Sequence, residues 1–431
     1  MGQAARMTQL PPSLYVDTAI PAPPTPPLEG LAEADVCIVG AGITGLSTAL
    51  RLAESGTRVV VIDAREPGWG ASGRNGGQVN PGLKYDPDQV ERDFGPEMGG
   101  RMLNLAYGAP DALFDLVRRH QISCEARREG TLRAAIGAKA AAEAERSAEQ
   151  GLRRGWPVSF ADAGETAALT GTRRYTAAML DARGGDLQPL SYSRGLARAA
   201  MDQGARIHGG TPAIKLTRHE GAWKVQTPRG EVRAQHVVLA TNGYTDNLWP
   251  ELRRSIVPVF SSIAASAPLA EDAARAIMPR RSAVYELGRI TVYYRMDRQN
   301  RLVIGGRGPQ APINDTTPIR WITQYAAKLW PQLRDVAWTH GWNGQIAVTP
   351  DHYPHLHEPA PGLIAALGYN GRGVAMATAM GGQVARRLLG AMPEQLDMPM
   401  TSIRPMPFHG FWKLGVMAKV WEGRVLDKLG L

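Results

Sequence analysis

The residues with the clearest chemical pattern lie near the start of the chain, where positions 40–45 read G-A-G-I-T-G. A G-x-G-x-x-G pattern is typical of a loop that holds the pyrophosphate of a dinucleotide. Gly40 allows a tight turn, Gly42 lets a phosphate approach the backbone, and Gly45 permits close packing of the following helix. Asp63 follows Gly45 by 18 residues and could accept hydrogen bonds from both hydroxyls of a ribose. The spacing therefore predicts a dinucleotide-binding site.

Three local elements must position this loop. The mostly β-branched run at 36–39 predicts a buried parallel strand. Apolar residues at helical spacing over 46–54 predict a helix that Gly56 ends, and a second apolar strand is expected at 58–62. This order of strand, helix and strand predicts an α/β fold, with the free N–H groups of the helix N-terminus directed at the phosphates.

A second loop at residues 68–78 reads G-W-G-A-S-G-R-N-G-G-Q. It is too rich in glycine and polar residues for a core element, and by composition alone it could be a surface loop. Its S-G-R-N-G-G-Q run resembles a loop of the D-amino-acid-oxidase-like flavoprotein superfamily, and is most similar to the amine-oxidase branch that contains gamma-glutamylputrescine oxidase. The resemblance implies that Ser72 and Arg74 contact the phosphates of FAD, and that residues 75–78 run beside the isoalloxazine ring.

Three later segments are similar to the same superfamily: the backbone at Ala213 or Ile214 would hold the adenine, A-T-N-G at 240–243 would contact the nucleotide, and G-R-G at 371–373 would begin a helix directed at the flavin. Neither cysteine falls in a flavin motif and no histidine or cysteine lies within 68–78, so the FAD is expected to be non-covalent. The residues that the resemblance assigns to FAD are Gly40, Gly42, Ile43, Thr44, Gly45, Asp63, Ala64, Arg65, Gly70, Ala71, Ser72, Arg74, Asn75, Gly76, Gly77, Gln78, Ala213, Ile214, Thr241, Asn242, Gly243, Gly371, Arg372, Gly373 and Val374.

A chain of 431 residues favours two domains. The resemblance implies a glutathione-reductase-like dinucleotide-binding (Rossmann) domain that is interrupted by an α+β substrate domain built on a mixed sheet. The predicted segments are an extended proline-rich lead-in at 1–33, the FAD-binding domain at 34–95, 184–248 and 339–395, the substrate domain at 96–183 and 249–338, and a tail helix at 396–431. We also expect helices at 98–121, kinked at Pro110, and at 138–153, and a turn at 184–189.

Four residues are candidates for the substrate side. Period-two alternation over 291–295 places Tyr293 and Arg295 on one face of a strand, and one face should look at the flavin. Gln345 lies in W-N-G-Q-I-A-V-T-P-D at 342–351, which resembles a family segment beside the flavin. Some related oxidases use a lysine to activate oxygen. Since no lysine occurs between Lys224 and Lys328, either Lys84 has that role or oxygen is not the electron acceptor.

The resemblance implies an amine oxidase, which would remove hydride from the carbon beside an unprotonated amine onto flavin N5. The imine would hydrolyse, and oxygen would be reduced to hydrogen peroxide. A gamma-glutamylputrescine-type amine is favoured, because residues 341–349 contain no arginine or lysine to hold an α-carboxylate. The alternative is an amino or imino acid dehydrogenase that passes electrons to a quinone or an electron-transfer protein.

Composition excludes several other classes of protein. The chain is 44% hydrophobic and carries nine surplus positive charges without any long basic run, so a nucleic-acid partner is not expected. No apolar stretch reaches the roughly 18 residues of a membrane span, and two cysteines without a C-x-x-C pair suit a reducing cytoplasm. His352, His355 and His357 lack paired acidic or thiolate ligands, which favours a loop over a metal site. The apolar, basic tail from Phe408 is expected to pack on the body, with a membrane surface as the alternative.

Overall fold

The computed structural model describes residues 10–288 and 291–416. In these ranges the helices are α1 (Leu14–Thr18), α2 (Ile43–Glu54), α3 (Pro87–Arg119), α4 (Ala138–Arg153), α5 (Ala163–Thr170), α6 (Pro189–Asp202), α7 (Pro250–Arg253), α8 (Glu271–Ile277), α9 (Arg320–Leu329) and α10 (Gly373–Leu388). The strands form two eight-stranded sheets and one two-stranded ribbon.

The first sheet contains β1 (Gly30–Val39), β2 (Val59–Ile62), β8 (Arg206–His208), β9 (Lys215–His219), β10 (Ala222–Gln226), β11 (Gly230–Leu239), β17 (His355–Ala360) and β18 (Leu363–Leu367). Its order is β17-β18-β11-β1-β2-β8, and β9 and β10 form a hairpin on β11. The central strand β1 pairs in parallel with both β2 and β11. This arrangement confirms the predicted parallel strands and the α/β fold.

Helices cover one face of the first sheet and the β9–β10 hairpin covers the other. Leu46 of α2, Leu196 of α6 and Met380 of α10 are buried on the helical face. Trp223 and Val225 of β10 are buried on the opposite face. Because both faces are covered, β1 and β2 tolerate the unbroken apolar sequences that marked them as parallel strands.

The second sheet contains β4 (Thr131–Ala135), β5 (Val158–Ala161), β6 (Ala177–Asp181), β12 (Val257–Ser266), β13 (Ala283–Glu286), β14 (Tyr293–Met296), β15 (Leu302–Arg307) and β16 (Trp338–Val348). Its order is β16-β12-β15-β14-β13-β4-β6-β5, and β13 with β4 is its parallel pair. The remaining pairs are antiparallel, so the predicted mixed sheet is confirmed. Ile322 of α9 and Trp330 pack against Tyr294 on one face of this sheet.

Several local expectations need correction. Helix α3 begins at Pro87 rather than at residue 98, and its backbone leaves helical angles at Gly95 (φ 77°), because glycine adopts positive φ without strain. The expected kink at Pro110 stays a prediction. The expected turn at 184–189 contains a short strand, β7 (Gly185–Asp186), which pairs with β3 (Gln78–Val79). Strand β16 pairs with β12 in the second sheet, whereas the predicted boundary at 338/339 would assign most of this strand to the FAD-binding domain. The other domain boundaries stay predictions.

The C-terminal segment returns to the body after α10. Met400 bridges to Leu356 beside β17, and the backbone N–H of Met406 donates to the carbonyl of Arg254 at 2.8 Å. Beyond this contact Phe408 and Phe411 are exposed, and residues 417–431 of the predicted tail helix lie outside the described residues. Among the described helices, none combines the length and apolar character that crossing a bilayer requires.

Adjacent glycines of α10 provide a matched pair for testing the helix packing. A Cβ at Gly381 would lie 2.6 Å from Cβ of Ser47 on α2, whereas a Cβ at Gly382 meets nothing within 4 Å. We expect Gly381→Ala to lower the free energy of unfolding by about 1–3 kcal/mol through overpacking. Gly382→Ala should raise it by up to about 1 kcal/mol, since alanine favours a helix. Chemical denaturation followed by circular dichroism measures both; equal effects would contradict the packing argument.

Candidate active site

A cavity of about 2220 Å³ lies between the two large sheets. Pockets for one small ligand usually measure roughly 300–1,000 Å³, so this cavity has room for a dinucleotide and a second molecule. Val39, Asp63 and Leu239 mark the carboxyl ends of β1, β2 and β11, and all three line it. In open α/β sheets the ligand site lies at this edge.

The loop between β1 and α2 exposes backbone at the cavity wall. Gly40 has φ +113°, and a Cβ at Gly45 would lie 2.0 Å from the Gly40 carbonyl oxygen. A Cβ at Gly42 would lie 2.8 Å from the hydroxyl oxygen of Ser72, which accepts a hydrogen bond from the Ile43 N–H at 2.9 Å. The first turn of α2 thus presents N–H groups and a hydroxyl to one point, as an anion site requires.

Asp63 closes the other side of this loop. Its carboxylate accepts hydrogen bonds from the N–H groups of Ala41 at 2.7 Å and Arg65 at 2.8 Å. Burial raises the pKa of this carboxyl to about 6, although both N–H groups favour the charged form. Each oxygen keeps a further lone pair for a donor in the cavity.

Arg74 lies on the cavity wall with only 5% of its surface exposed. Its guanidinium donates to the hydroxyl of Tyr244 at 2.7 Å and lies 4.4 Å from the centre of the Trp69 ring. Desolvation by burial lowers its pKa, and the described residues give it no carboxylate partner. A buried guanidinium of this kind suits an anion such as a phosphate.

A second helix N-terminus faces the cavity. Gly371, Arg372 and Gly373 line it at the start of α10. The Arg372 guanidinium donates to the carbonyl of Pro81 at 3.0 Å and to the hydroxyl of Tyr285 at 2.9 Å. These contacts fix Arg372 at the start of α10, so the partial positive charge of the helix N-terminus is directed at the cavity.

The second sheet supplies the opposite wall. The ring of Tyr293 packs directly on Gly76, since a Cβ added at Gly76 would lie 2.7 Å from it. The hydroxyl of Tyr293 lies 2.8 Å from that of Ser261. Glu286 also lines the cavity and accepts hydrogen bonds from Tyr175 at 2.9 Å and Tyr325 at 2.6 Å. Burial raises the pKa of Glu286.

A model of the family described as "DAO: FAD dependent oxidoreductase" matches residues 35–387. The chain belongs to this family.

Relatives with matching length support this membership. The probable oxidoreductase OrdL of Rhizobium meliloti is 34% identical over 90% of each chain. The gamma-glutamylputrescine oxidoreductase of Escherichia coli is 31% identical over 94% of each chain. The protein is therefore an FAD-dependent oxidoreductase whose homologues act on amines and amino acids.

Solved structures share the fold at lower identity. Glycine oxidase from Geobacillus kaustophilus aligns with a TM-score of 0.70 at 21% identity, covering 87% of this chain and 98% of its own. An L-amino acid deaminase from Proteus vulgaris aligns with a TM-score of 0.71 at 19% identity, covering 91% and 97%. These structures support the DAO-type FAD-binding fold.

The glycine cradle and the buried Arg74 fit FAD as the family's cofactor. Most residues that the sequence assigned to FAD line the cavity: Gly40, Gly42, Ile43, Thr44, Asp63, Ala64, Arg65, Gly70, Ala71, Ser72, Arg74, Asn75, Gly76, Gln78, Ala213, Thr241, Asn242, Gly371, Arg372, Gly373 and Val374. Gly45, Gly77, Ile214 and Gly243 do not line it. Ile214 is 60% exposed, while Gly45 and Gly77 pack against the backbone carbonyls of Gly40 and Leu187.

The flavin loop connects the two sheets. The side-chain amide of Gln78 donates to the carbonyls of Val284 at 2.8 Å and Tyr294 at 3.1 Å, both in the second sheet. The Asn75 side chain accepts from the Gly77 N–H at 2.7 Å and so fixes the bend. These contacts position residues 75–78 between the first sheet and Tyr293.

Arg295 does not reach the cavity, contrary to the expectation that it could contact the substrate. It is 2% exposed, donates to the Gly76 carbonyl at 2.8 Å, and pairs with Asp186 at 3.3 Å. Asp186 also pairs with Arg127 at 2.7 Å. The alternation of the strand was predicted correctly, but Arg295 supports the flavin loop from behind.

Gln345 is also not part of the cavity wall. Gly344 and Ile346 line the cavity, whereas Gln345 between them does not. The Gln345 backbone N–H donates to the Tyr244 hydroxyl at 3.0 Å. Gln345 is therefore part of the frame that holds Tyr244 beside Arg74.

Lys84 does line the cavity. Its side chain is exposed to the cavity interior, and desolvation together with the charges of Arg372 and Arg133 lowers its pKa. Of the four substrate-side candidates, Tyr293 and Lys84 are thus placed at the site.

The histidine cluster is distributed between the cavity and β17. His352 lines the cavity, whereas His355 bonds to Asp351 at 3.0 Å and stacks on His357 with 5.2 Å between ring centres. His357 bonds to the carbonyl of Thr401 at 2.6 Å. No group of three or more potential metal ligands assembles among the described residues.

Sequence reasoning missed Trp69, Tyr244 and Glu286. Trp69 lies within the predicted loop but was given no role, and Tyr244 directly follows the predicted A-T-N-G, so extending that motif by one residue would have included it. Glu286 ends a four-residue strand whose sequence, A-V-Y-E, carries no site motif. Its position depends on the pairing of β13 with β4 and β14, which is long-range information.

We expect Asp63→Asn to weaken FAD binding to the apoprotein by about tenfold or more, because a charged acceptor for ribose hydroxyls is lost. For the wild type, affinity should be constant above neutral pH and should fall as pH drops through about 6, where the free carboxyl gains a proton. Asp63→Asn should lack this pH dependence. Fluorescence titration with FAD measures both. Asp35→Asn, which removes a surface ion pair with Arg58, is the control; a wild-type affinity unchanged down to pH 5 would contradict the assignment.

Proposed function

We propose that this FAD-dependent oxidoreductase oxidises the C–N bond of a gamma-glutamylputrescine-type amine, with oxygen as electron acceptor. The observation that carries the proposal is the compartment beside the flavin loop, which is bounded by Tyr293, Tyr285, Tyr325 and Lys84 and holds the carboxylate of Glu286. The similarity to gamma-glutamylputrescine oxidoreductase over 94% of each chain supports the substrate class. A cytoplasmic location and a non-covalent cofactor stay predictions.

FAD, when bound, supplies the acceptor for the hydride of the carbon beside the amine nitrogen. The protein residues must then position the amine and keep it unprotonated. Burial and the charges of Arg372 and Arg133 lower the pKa of Lys84, and the same surroundings would lower the pKa of a bound amine. The same environment favours a neutral amine, so no side-chain base is required.

The N-terminus of α10 would assist by stabilising negative charge that develops in the cofactor. Tyr293 excludes water from the loop at 75–78 because its ring covers Gly76. Glu286, held by two tyrosine hydroxyls, would accept hydrogen bonds from the non-reacting end of the substrate.

A second electron acceptor is favoured by one observation. Phe408, Phe411 and Leu414 are 85%, 66% and 62% exposed and line the mouth of the cavity. Exposed apolar side chains at a cavity mouth suit a quinone or a partner protein. The alternative is therefore a dehydrogenase of the D-amino acid or pipecolate type.

Anaerobic mixing tests the substrate and air tests the acceptor. We expect gamma-glutamylputrescine to bleach the oxidised flavin absorbance faster than glycine, D-alanine or L-pipecolate. Readmitted air should restore the absorbance and yield peroxide. Faster bleaching by a D-amino acid, with reoxidation only by a quinone, would favour the alternative, and bleaching by no amine would reject the proposal.

Lys84 offers a separate test of oxygen use. Lys84→Met should slow reoxidation in air by about 10²-fold, because a fixed positive charge no longer stabilises the negative charge that develops on oxygen. Anaerobic bleaching by the substrate should change little, and Lys84→Arg should keep most of the reoxidation rate. Lys139→Met, at another cavity lysine, is the control. Equal stopped-flow reoxidation rates for the wild type and Lys84→Met would contradict the role.

A further inference from the structure

Arg307 lies at the end of β15 on the face of the second sheet that meets the cavity. A Cβ at Gly305 would lie 2.3 Å from the ring of Tyr293, and Arg307 is two residues further along the same strand. Its partner across the ladder is Ser261, whose hydroxyl bonds to that of Tyr293. Strand alternation therefore places Arg307 on the same side as Tyr293, and its side chain lines the cavity.

The other described arginines of the cavity are held by side-chain partners. These contacts are Arg65 over the Trp69 ring, Arg74 to Tyr244, Arg133 to Asp86, Arg174 to Tyr325 and Arg372 to Tyr285. Within the described part of the chain, the Arg307 guanidinium has no such hydrogen bond, ion pair or ring contact. Arg307 is an exposed residue at the end of β15, and partial desolvation at the cavity wall lowers the pKa of its guanidinium. The guanidinium is therefore accessible from the cavity, and its N–H donors are not taken up by the described side chains.

The charges around Arg307 indicate that its ligand is an anion, and the sequence indicates which part of the substrate carries that anion. Arg307 contributes with Arg372 and Arg133 to the positive field that lowers the pKa of Lys84. These cations attract an anion, while Glu143 opposes their effect on Lys84 and Glu286, whose pKa burial raises, also lines the cavity. A planar guanidinium matches a carboxylate through two parallel hydrogen bonds. The carboxylate of an α-amino acid is attached to the reacting carbon itself and would need a cation beside the flavin. The stretch at 341–349 contains no arginine or lysine, so a carboxylate bound by Arg307 would belong to another part of the substrate.

We propose that Arg307 is a specificity-determining residue that binds a carboxylate at the non-reacting end of the substrate, so that the enzyme prefers amines with a remote carboxylate. The inference rests on the proposed function, because it assumes that the cavity beside the flavin loop is the amine site. It adds the residue and the chemical group by which a gamma-glutamylated amine is distinguished from a free diamine.

Two unreactive probes of equal length isolate the carboxylate: the monobutylamide of glutaric acid, which carries one, and N-butylpentanamide, which does not. Binding to the holoenzyme is measured by calorimetry and by the shift of the flavin absorbance. We expect the wild type to bind the acid at least about tenfold more tightly, as for a charge-assisted pair. Arg307→Gln should abolish this preference and Arg307→Lys should keep part of it.

Arg298→Gln is the matched control, since it removes the same charge from an exposed site in the turn between β14 and β15. It should bind both probes as the wild type does. An unchanged preference in Arg307→Gln, or no preference in the wild type, would overturn the inference. Failure of the proposed function has a different signature: the probe preference depends on Arg307, yet no amine bleaches the flavin.

Discussion

The site depends on the close approach of α2 to the end of β1. A Cβ at Gly45 would lie 2.0 Å from the carbonyl oxygen of Gly40, so the helix can start at this point of the sheet edge only without a side chain there. Gly381 of α10 sets the second helix against α2 in the same way. Both helix N-termini consequently open onto one cavity, and their N–H groups and partial charges act on the same bound molecule.

The second constraint is the buried ion pair behind the flavin loop. Arg295 is charged and enclosed, and it is compensated by Asp186, by the Gly76 carbonyl and by the hydroxyl of Tyr15 at 3.3 Å. Breaking such a network would leave a buried charge unpaired, which typically costs about 3–5 kcal/mol. The loop is therefore fixed from its outer side, while its inner side stays free for the cofactor.

The parts of the fold that the sequence could predict are those specified by residues close together in the chain. The glycines at 40–45, the apolar strands around them and Asp63 lie within about thirty residues, and their geometry follows from chain sterics. Arg295 and Gln345 do not line the cavity as expected, and the reason is different. Arg295 shares a strand face with Tyr293 but pairs with Asp186 behind the flavin loop, and Gln345 bonds to Tyr244 through its backbone without lining the cavity; both positions depend on partners far away in the sequence. The break at Gly95 was not predicted, because the predicted helix began only at residue 98.

Electrostatics joins the two halves of the site. The positive groups at the cavity, Lys84, Arg133 and Arg372, disfavour a protonated amine and favour negative charge. Oxidation of an amine needs both conditions: a neutral nitrogen beforehand and stabilised negative charge in the cofactor afterwards. The same field would bind any substrate cation poorly, so a substrate that also carried a remote anion would be oriented with that anion towards the unpaired cation.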